Sequence, residues 1–194
     1  MITGDRVALR AAEPGDAETL YRWFQQDWFR TAVGQRYPQS RSAWEQWIAA
    51  HQNISYGNVS FMVCLTDGGT PIGMGSLNRQ SPEDRSAEFG VAIGEARYLR
   101  GALGIEAAEL LGRFGFEVMG LHRMYAWILD RNRAAIAACT AVGAVREGVA
   151  RQARLVDGHH SDLMLYGVLA EEFAVAADRA CRRRPLLKRN TEVS

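Results

Sequence analysis

Residues 94–104 (GEARYLRGALG) place Gly94, Arg100, Gly101, Ala102, Leu103 and Gly104 where a strand-like segment gives way to a helix-like one. Amide N–H groups at such a junction lack intrahelical partners, and the helix dipole behind them favours an anion. Small residues let a phosphate approach the backbone, and Arg100 adds a guanidinium suited to phosphate. The segment therefore reads as a pyrophosphate cradle or as ordinary strand-to-helix turn chemistry. Two nucleotide motifs are excluded. No Gly-Lys-Ser/Thr follows, so magnesium would lack the hydroxyl ligand of a P-loop. The Gly-x-Gly-x-x-Gly spacing of a dinucleotide fold is missing as well. His51, His122, His159 and His160 form no ligand set, and no metal is expected.

The elements that must hold this junction follow from periodicity. Ala87–Ile93 alternates as a strand, and a helix from the loop to about Met119 keeps Leu103, Ala107, Leu110, Leu111, Phe114 and Val118 on one face. Met124–Leu129 reads as the next strand, which makes 87–129 the one stretch long enough for a parallel crossover. Upstream, Val7–Arg10 is a strand, and Asp16 is placed to cap a helix reaching about Gln26. Trp28, Phe29 and Tyr37 fall in a loop-like stretch, and Ser42–Glu45 is a capping-box pattern opening a second helix. Val59–Leu65 and Ile72–Leu77 flank a turn at Asp67–Pro71. Downstream come a short helix at Asn132–Val142 stopped by Gly143, a hairpin over Val145–Leu169 turning at Asp157-Gly158, and a last helix from Ala170. This order predicts an α+β chain: a mixed, mostly antiparallel sheet with helices on both faces.

Composition fits a single globular unit. The chain has 194 residues, 47% hydrophobic and 23% charged, with a net charge of +1. The expected domain covers 1–169, with a C-terminal helix and basic tail over 170–194. Six basic and no acidic residues fall in 179–189, so the rest of the chain is mildly acidic. That tail reads as a solvated segment, and nucleic acid is expected to bind through it weakly at most. No segment suits a membrane span or a signal peptide. Three scattered cysteines, Cys64, Cys139 and Cys181, argue against a disulfide framework and for a reducing cytoplasm.

Read together, these pieces resemble the GCN5-related N-acetyltransferase (GNAT) superfamily, and within it the branch that acetylates ribosomal-protein N-termini. The likeness runs from about Asp5 to Leu169. It is carried by Arg6–Arg10 with Asp16 and Trp23, by Pro71–Leu77, and by Ala87–Ile93. It continues through Glu106-Ala107, Phe114–Phe116, Gly120–Arg123, Asn132 with Gly143 eleven residues on, Glu147-Gly148, Asp157-Gly158 and Asp162–Tyr166.

The resemblance implies that Phe89, Val91 and Ile93 pair by their backbone with the pantetheine arm of acetyl-CoA. It implies that Arg100, Gly101, Ala102, Leu103 and Gly104 hold the pyrophosphate and that Asn132 bonds the pantetheine. A neutral amine would attack the thioester directly in a ternary complex, with the Val91 N–H meeting the oxyanion. Glu88 is the candidate base, or else a solvated carboxylate paired with a nearby arginine. Tyr166 is a candidate proton donor to the thiolate, or a packing residue. The acceptor would be a small-molecule amine or a protein N-terminus, walled by Trp28, Phe29 and Tyr37. A homodimer is plausible for this fold.

Departures from the family pattern keep a second reading open, that of a non-catalytic acyl-CoA-binding or interaction protein. In the phosphate motif Leu99 replaces a polar residue and Ala102 a glycine. Where relatives carry a Ser or Tyr donor, this chain has Ala135 and Cys139. A thiol leaving group, with a pKa near ~8.5, tolerates departure without a donor.

Overall fold

A computed structural model describes residues 1–100 and 102–183. Gly101 and the basic tail beyond residue 183 lie outside the described residues. Eight strands form one sheet in the order β1-β2-β3-β4-β5-β6-β8-β7. They are β1 (Ile2–Thr3), β2 (Val7–Ala11), β3 (Val59–Leu65), β4 (Pro71–Ser81), β5 (Ser86–Ile93), β6 (Arg123–Leu129), β7 (Val145–Val156) and β8 (His159–Leu169). Every neighbouring pair is antiparallel except β5 and β6, which are parallel. The helix α4 (Leu103–Arg113) makes the crossover between them, as the length of 87–129 requires.

Helices cover both faces. On one, α4, α5 (Arg133–Ala141) and α6 (Ala170–Arg183) pack Leu103, Leu111, Cys139, Val142 and Phe173 against Val7, Ile72, Phe89 and Met124. On the other, α1 (Ala17–Phe24), α2 (Asp27–Ala32) and α3 (Arg41–His51) bury Leu20, Trp23, Phe29, Trp44 and Ile48 with Met62 and Cys64. The sheet alternation explains the split. Along β5, Ala87, Phe89 and Ile93 face the α4 side, whereas Ala92 packs with the α1–α3 cluster. Phe173 lies in the same core as α4, so α6 is anchored there at its start.

Local chemistry departs from the expected caps in three places. Asp16 does not cap α1. Its carboxylate instead takes a two-pronged bond from Arg10 (2.7 and 2.8 Å) and accepts from the Glu13 N–H. The α3 cap is Ser40, not Ser42, because the Ser40 hydroxyl accepts from the Ala43 N–H at 3.2 Å. Trp28 and Phe29 sit in the short helix α2 rather than a loop, since Phe29 supplies an apolar anchor that is fully buried. The long helix is regular only to Arg113. It continues over Phe114–Val118 as a wider π turn. β1 escapes sequence reading because it is two residues long.

Glu106 ties the crossover helix to the sheet. This carboxylate is buried and accepts from the backbone N–H groups of Arg6 (2.8 Å) and Val7 (3.3 Å) and from the Arg6 guanidinium (3.1 Å). Burial by itself would push the carboxyl up. The three donors outweigh it and hold the group below the ordinary carboxylate range. The start of α4 is thereby fixed against β2.

Candidate active site

The parallel pair β5–β6 is joined only at its beginning. Ser86, Ala87 and Glu88 stand opposite Arg123, Met124 and Tyr125, and no pairing follows, although β5 continues to Ile93 and β6 to Leu129. Past Glu88 the two strands diverge. β6 stays paired with β8 along its whole length, and β5 stays paired with β4. The amides on the open side are identifiable. Gly94 donates to the Ile72 carbonyl of the β4 side at 2.8 Å. Bonding alternates along an antiparallel ladder, so Ala92 and Gly90 also face β4 and Phe89, Val91 and Ile93 face away from it. The Phe89 N–H closes the last β5–β6 pair, Glu88 with Tyr125, and the N–H groups turned into the gap are those of Val91 and Ile93.

A cleft of about 420 Å³ runs through this gap and reaches both faces of the sheet. On the α4–α5 side its walls include four alanines, Ala108, Ala126, Ala135 and Ala138, whose small side chains leave room that larger ones would fill. Asn132 is there too, with its Oδ1 accepting from the Ala135 N–H at 3.1 Å to cap α5. Cys139 lines the same half. Burial pushes its thiol up to about 12, so it is a neutral packing group and not a nucleophile. On the α1–α3 side the walls include Phe24, Trp44, Trp47, His51 and Trp127, together with Glu88.

Glu88 thus lines the cleft at the point where the strands part. It also pairs with Arg79 (3.3 Å), the arginine partnership expected of it. Arg79 adopts a left-handed φ of 51° beside an irregularity in β4 and is largely exposed. Water screens such a pair, which leaves the carboxylate available to a ligand.

The expected phosphate segment lies just before α4. Arg100 precedes the helix, Ala102 is its N-cap, and Leu103 and Gly104 are the first helical residues. Ala102 takes a left-handed φ of 55°. An L-residue with a Cβ is strained there, and glycine is not. Ala102→Gly is therefore expected to stabilise the protein by about 0.5–1 kcal/mol and to tighten pyrophosphate binding. Thermal melting and CoA titration check this, and a lowered Tm contradicts it. Gly94, at the start of the same loop, is required by a neighbour. A Cβ there would fall 2.2 Å from the Trp23 indole, whose N–H bonds Glu95 at 3.0 Å.

Several expected residues are not brought to the cleft. Phe29 is wholly buried in the α1–α3 core, so it walls nothing. Trp28 and Tyr37 are exposed and lie outside the cleft walls. Tyr166, opposite Ala126 on β8, packs against the α4-side core and is not a wall residue. The aromatics that do line the cleft come from α1, α3, β5 and β6. Trp127 had a readable signal: it falls on the half-exposed phase of β6 between buried Ala126 and Ile128. The Trp44 indole N–H, buried beside the cleft, has no hydrogen-bond partner among the described residues.

Three similarities accompany this geometry. The family model described as an acetyltransferase (GNAT) domain matches residues 6–145. The Bacillus subtilis (strain 168) protein YdaF, whose name assigns it provisionally to the ribosomal N-acetyltransferases, is 26% identical over 87% of this chain and 94% of its own. Two solved structures share the fold. One is spermidine N-acetyltransferase from Vibrio cholerae, solved with CoA and spermine (TM-score 0.79, 20% identity, 87% of this chain and 98% of that one). The other is a GCN5-related N-acetyltransferase from Brucella melitensis (TM-score 0.75, 22% identity, 93% and 83%).

Proposed function

The chain belongs to the GNAT acetyltransferases, as an N-acetyltransferase, and on that footing we propose that it moves the acetyl group of acetyl-CoA to a primary amine by direct attack in a ternary complex. The observation that carries this reading is the parting of β5 and β6 after Glu88. It leaves the Phe89 carbonyl and the amides of Val91 and Ile93 for an extended pantetheine arm, which binds as a strand would. Asn132 and the four alanines form the far wall of that channel. Arg100 and the free amides at the start of α4 take the pyrophosphate.

The amine enters from the α1–α3 face. Alkyl ammonium ions do not attack, so a proton must leave first. Glu88, at the junction of the two halves, accepts it directly or through one water. As the amine adds to the thioester carbonyl, negative charge builds on its oxygen, and the Val91 N–H is aimed into the gap to meet it. The C–S bond then breaks as the added nitrogen gives up its second proton to solvent or to the departing sulfur, and the thiolate leaves without a dedicated side-chain donor. Its modest basicity permits this. The same reading sets the protein in the reducing cytoplasm, in keeping with buried free thiols at Cys64 and Cys139. Among the described residues, no helix is long and apolar enough to cross a membrane.

The test is release of CoA thiol from acetyl-CoA across a panel of polyamines, amino sugars, small amines and peptides. Turnover above the amine-free rate is expected on at least one of them. CoA binding with no turnover on any amine would return the balance to a non-catalytic acyl-CoA-binding protein.

A further inference from the structure

The acceptor half of the cleft does not end at the aromatic wall. It shares Thr31, Gly34, Gln35 and Arg154 with a second recess of about 250 Å³, set between the α2–α3 connection and the far end of β7. Three guanidinium groups line that recess: Arg30, Arg36 and Arg154. Its two carboxylates are already matched. Asp27 is bound by Arg30, and Asp157 pairs with Arg131 at 3.0 Å. Among the described residues, Arg36 and Arg154 have no carboxylate partner.

Both of these arginines are held by backbone. Arg154 donates to the Gly34 carbonyl (3.2 Å), and Arg36 reaches the Leu155 carbonyl (3.4 Å) across the same gap. Gly34 has a φ of +75°, and a Cβ on it would stand 3.3 Å from an Arg154 terminal nitrogen. Glycine thus lets the guanidinium lie flat against the loop. Such a fork, already oriented and half-buried, matches a carboxylate or a phosphate. The inner cleft adds a donor in want of an acceptor, the buried Trp44 N–H. Among the described residues its one carboxylate is Glu88, which carries Arg79. A polycation would find no free acidic wall here.

Resting on the transferase reading above, we propose that the acceptor is a two-part molecule, with its amine at Glu88 and an anionic group, carboxylate or phosphate, held by Arg154 and Arg36 in the outer recess.

The experiment compares primary amines of graded chain length that end in methyl, carboxylate, phosphate or ammonium. A short peptide with an acidic second residue is set beside its alanine counterpart. Acetyl transfer is followed as kcat/KM, and binding by calorimetry with CoA present. At the matching length, the anionic acceptor is expected to exceed the methyl-ended one by about tenfold or more, as a charge-assisted pair gives. The advantage should shrink as salt rises. Arg154→Gln and Arg36→Gln should each reduce the ratio of anionic to neutral acceptor, and Arg154→Lys should keep part of it. Preference for the peptide assigns the anion to an acidic side chain. Preference for the free amines assigns it to a small molecule. A preference for the ammonium-ended amine, or an anionic preference unmoved in both glutamine variants, overturns the proposal. Absence of transfer from every amine overturns the transferase reading instead, and calorimetry then still decides whether the recess selects anions.

Discussion

Glu88→Gln is expected to lower kcat by about 100-fold or more, with little change in the KM for acetyl-CoA. Glutamine keeps the shape of the side chain but cannot take the proton that the substrate ammonium must lose before the neutral amine attacks. General-base catalysis supplies about that factor. The reason to expect a split between kcat and KM is positional. Glu88 lies where the gap opens, on the α1–α3 face, and the channel proposed for the pantetheine arm begins only beyond it. The fold should be untouched. The Arg79 pair that is lost is mostly in water, and such pairs contribute under about 1 kcal/mol. Steady-state kinetics with acetyl-CoA and the best amine, alongside a thermal melt, make the check. A variant with unchanged kcat removes Glu88 from the chemistry, and one that melts early makes it a structural residue.

Glu106→Ala is expected to destabilise the protein by about 3 kcal/mol. Removal of the carboxylate strands the Arg6 and Val7 N–H groups beneath α4, and an unsatisfied buried donor costs about 1–3 kcal/mol. Glu106→Gln, which retains one acceptor oxygen, should lose less. The effect has a pH signature. The folded protein holds this carboxyl below its ordinary range, so the ionised form is favoured on folding. The charge-dependent part of the stabilisation is whole above a pH of about 4.3, the ordinary glutamate value. It falls away as the pH drops from there through the lower folded value. Urea unfolding of the parent and the glutamine variant from pH 7 to pH 3 should show their stabilities converging towards acid. A gap that stays constant with pH would mean that shape, not charge, makes Glu106 matter.

The frame was legible because its signals are periodic and local. The mostly apolar run Val59–Leu65 forms a strand with the expected bounds. Asp157-Gly158 supplies the tight turn of the β7–β8 hairpin, with Gly158 at φ +78°. The length of 87–129 leaves only a parallel crossover. The resemblance then implied the gap, which the three-residue pairing of β5 with β6 displays. What could not be read is long-range. Whether Phe29 or Trp44 faces the cleft depends on how α1–α3 sit on the sheet, and both look alike as aromatic residues near a helix. Ser40 lies outside the pattern that suggested a capping box, yet it makes the bond. The left-handed turn at Ala102 gives no sequence signal, because nothing but glycine announces a positive φ. The arginine recess joins residues about 120 apart in the chain, as in the bond from Arg154 to Gly34, and no local pattern encodes such a meeting.

The most direct test is residue-resolved amide exchange along β5, with and without acetyl-CoA. The account predicts an alternating result. Exchange should slow at Val91 and Ile93, whose N–H groups face the gap, and stay nearly unchanged at Gly90 and Ala92, which are already bonded to β4. Uniform behaviour along the strand, or no slowing at Val91 and Ile93 at saturating acetyl-CoA, would contradict the claim that the coenzyme arm fills the place of a missing strand.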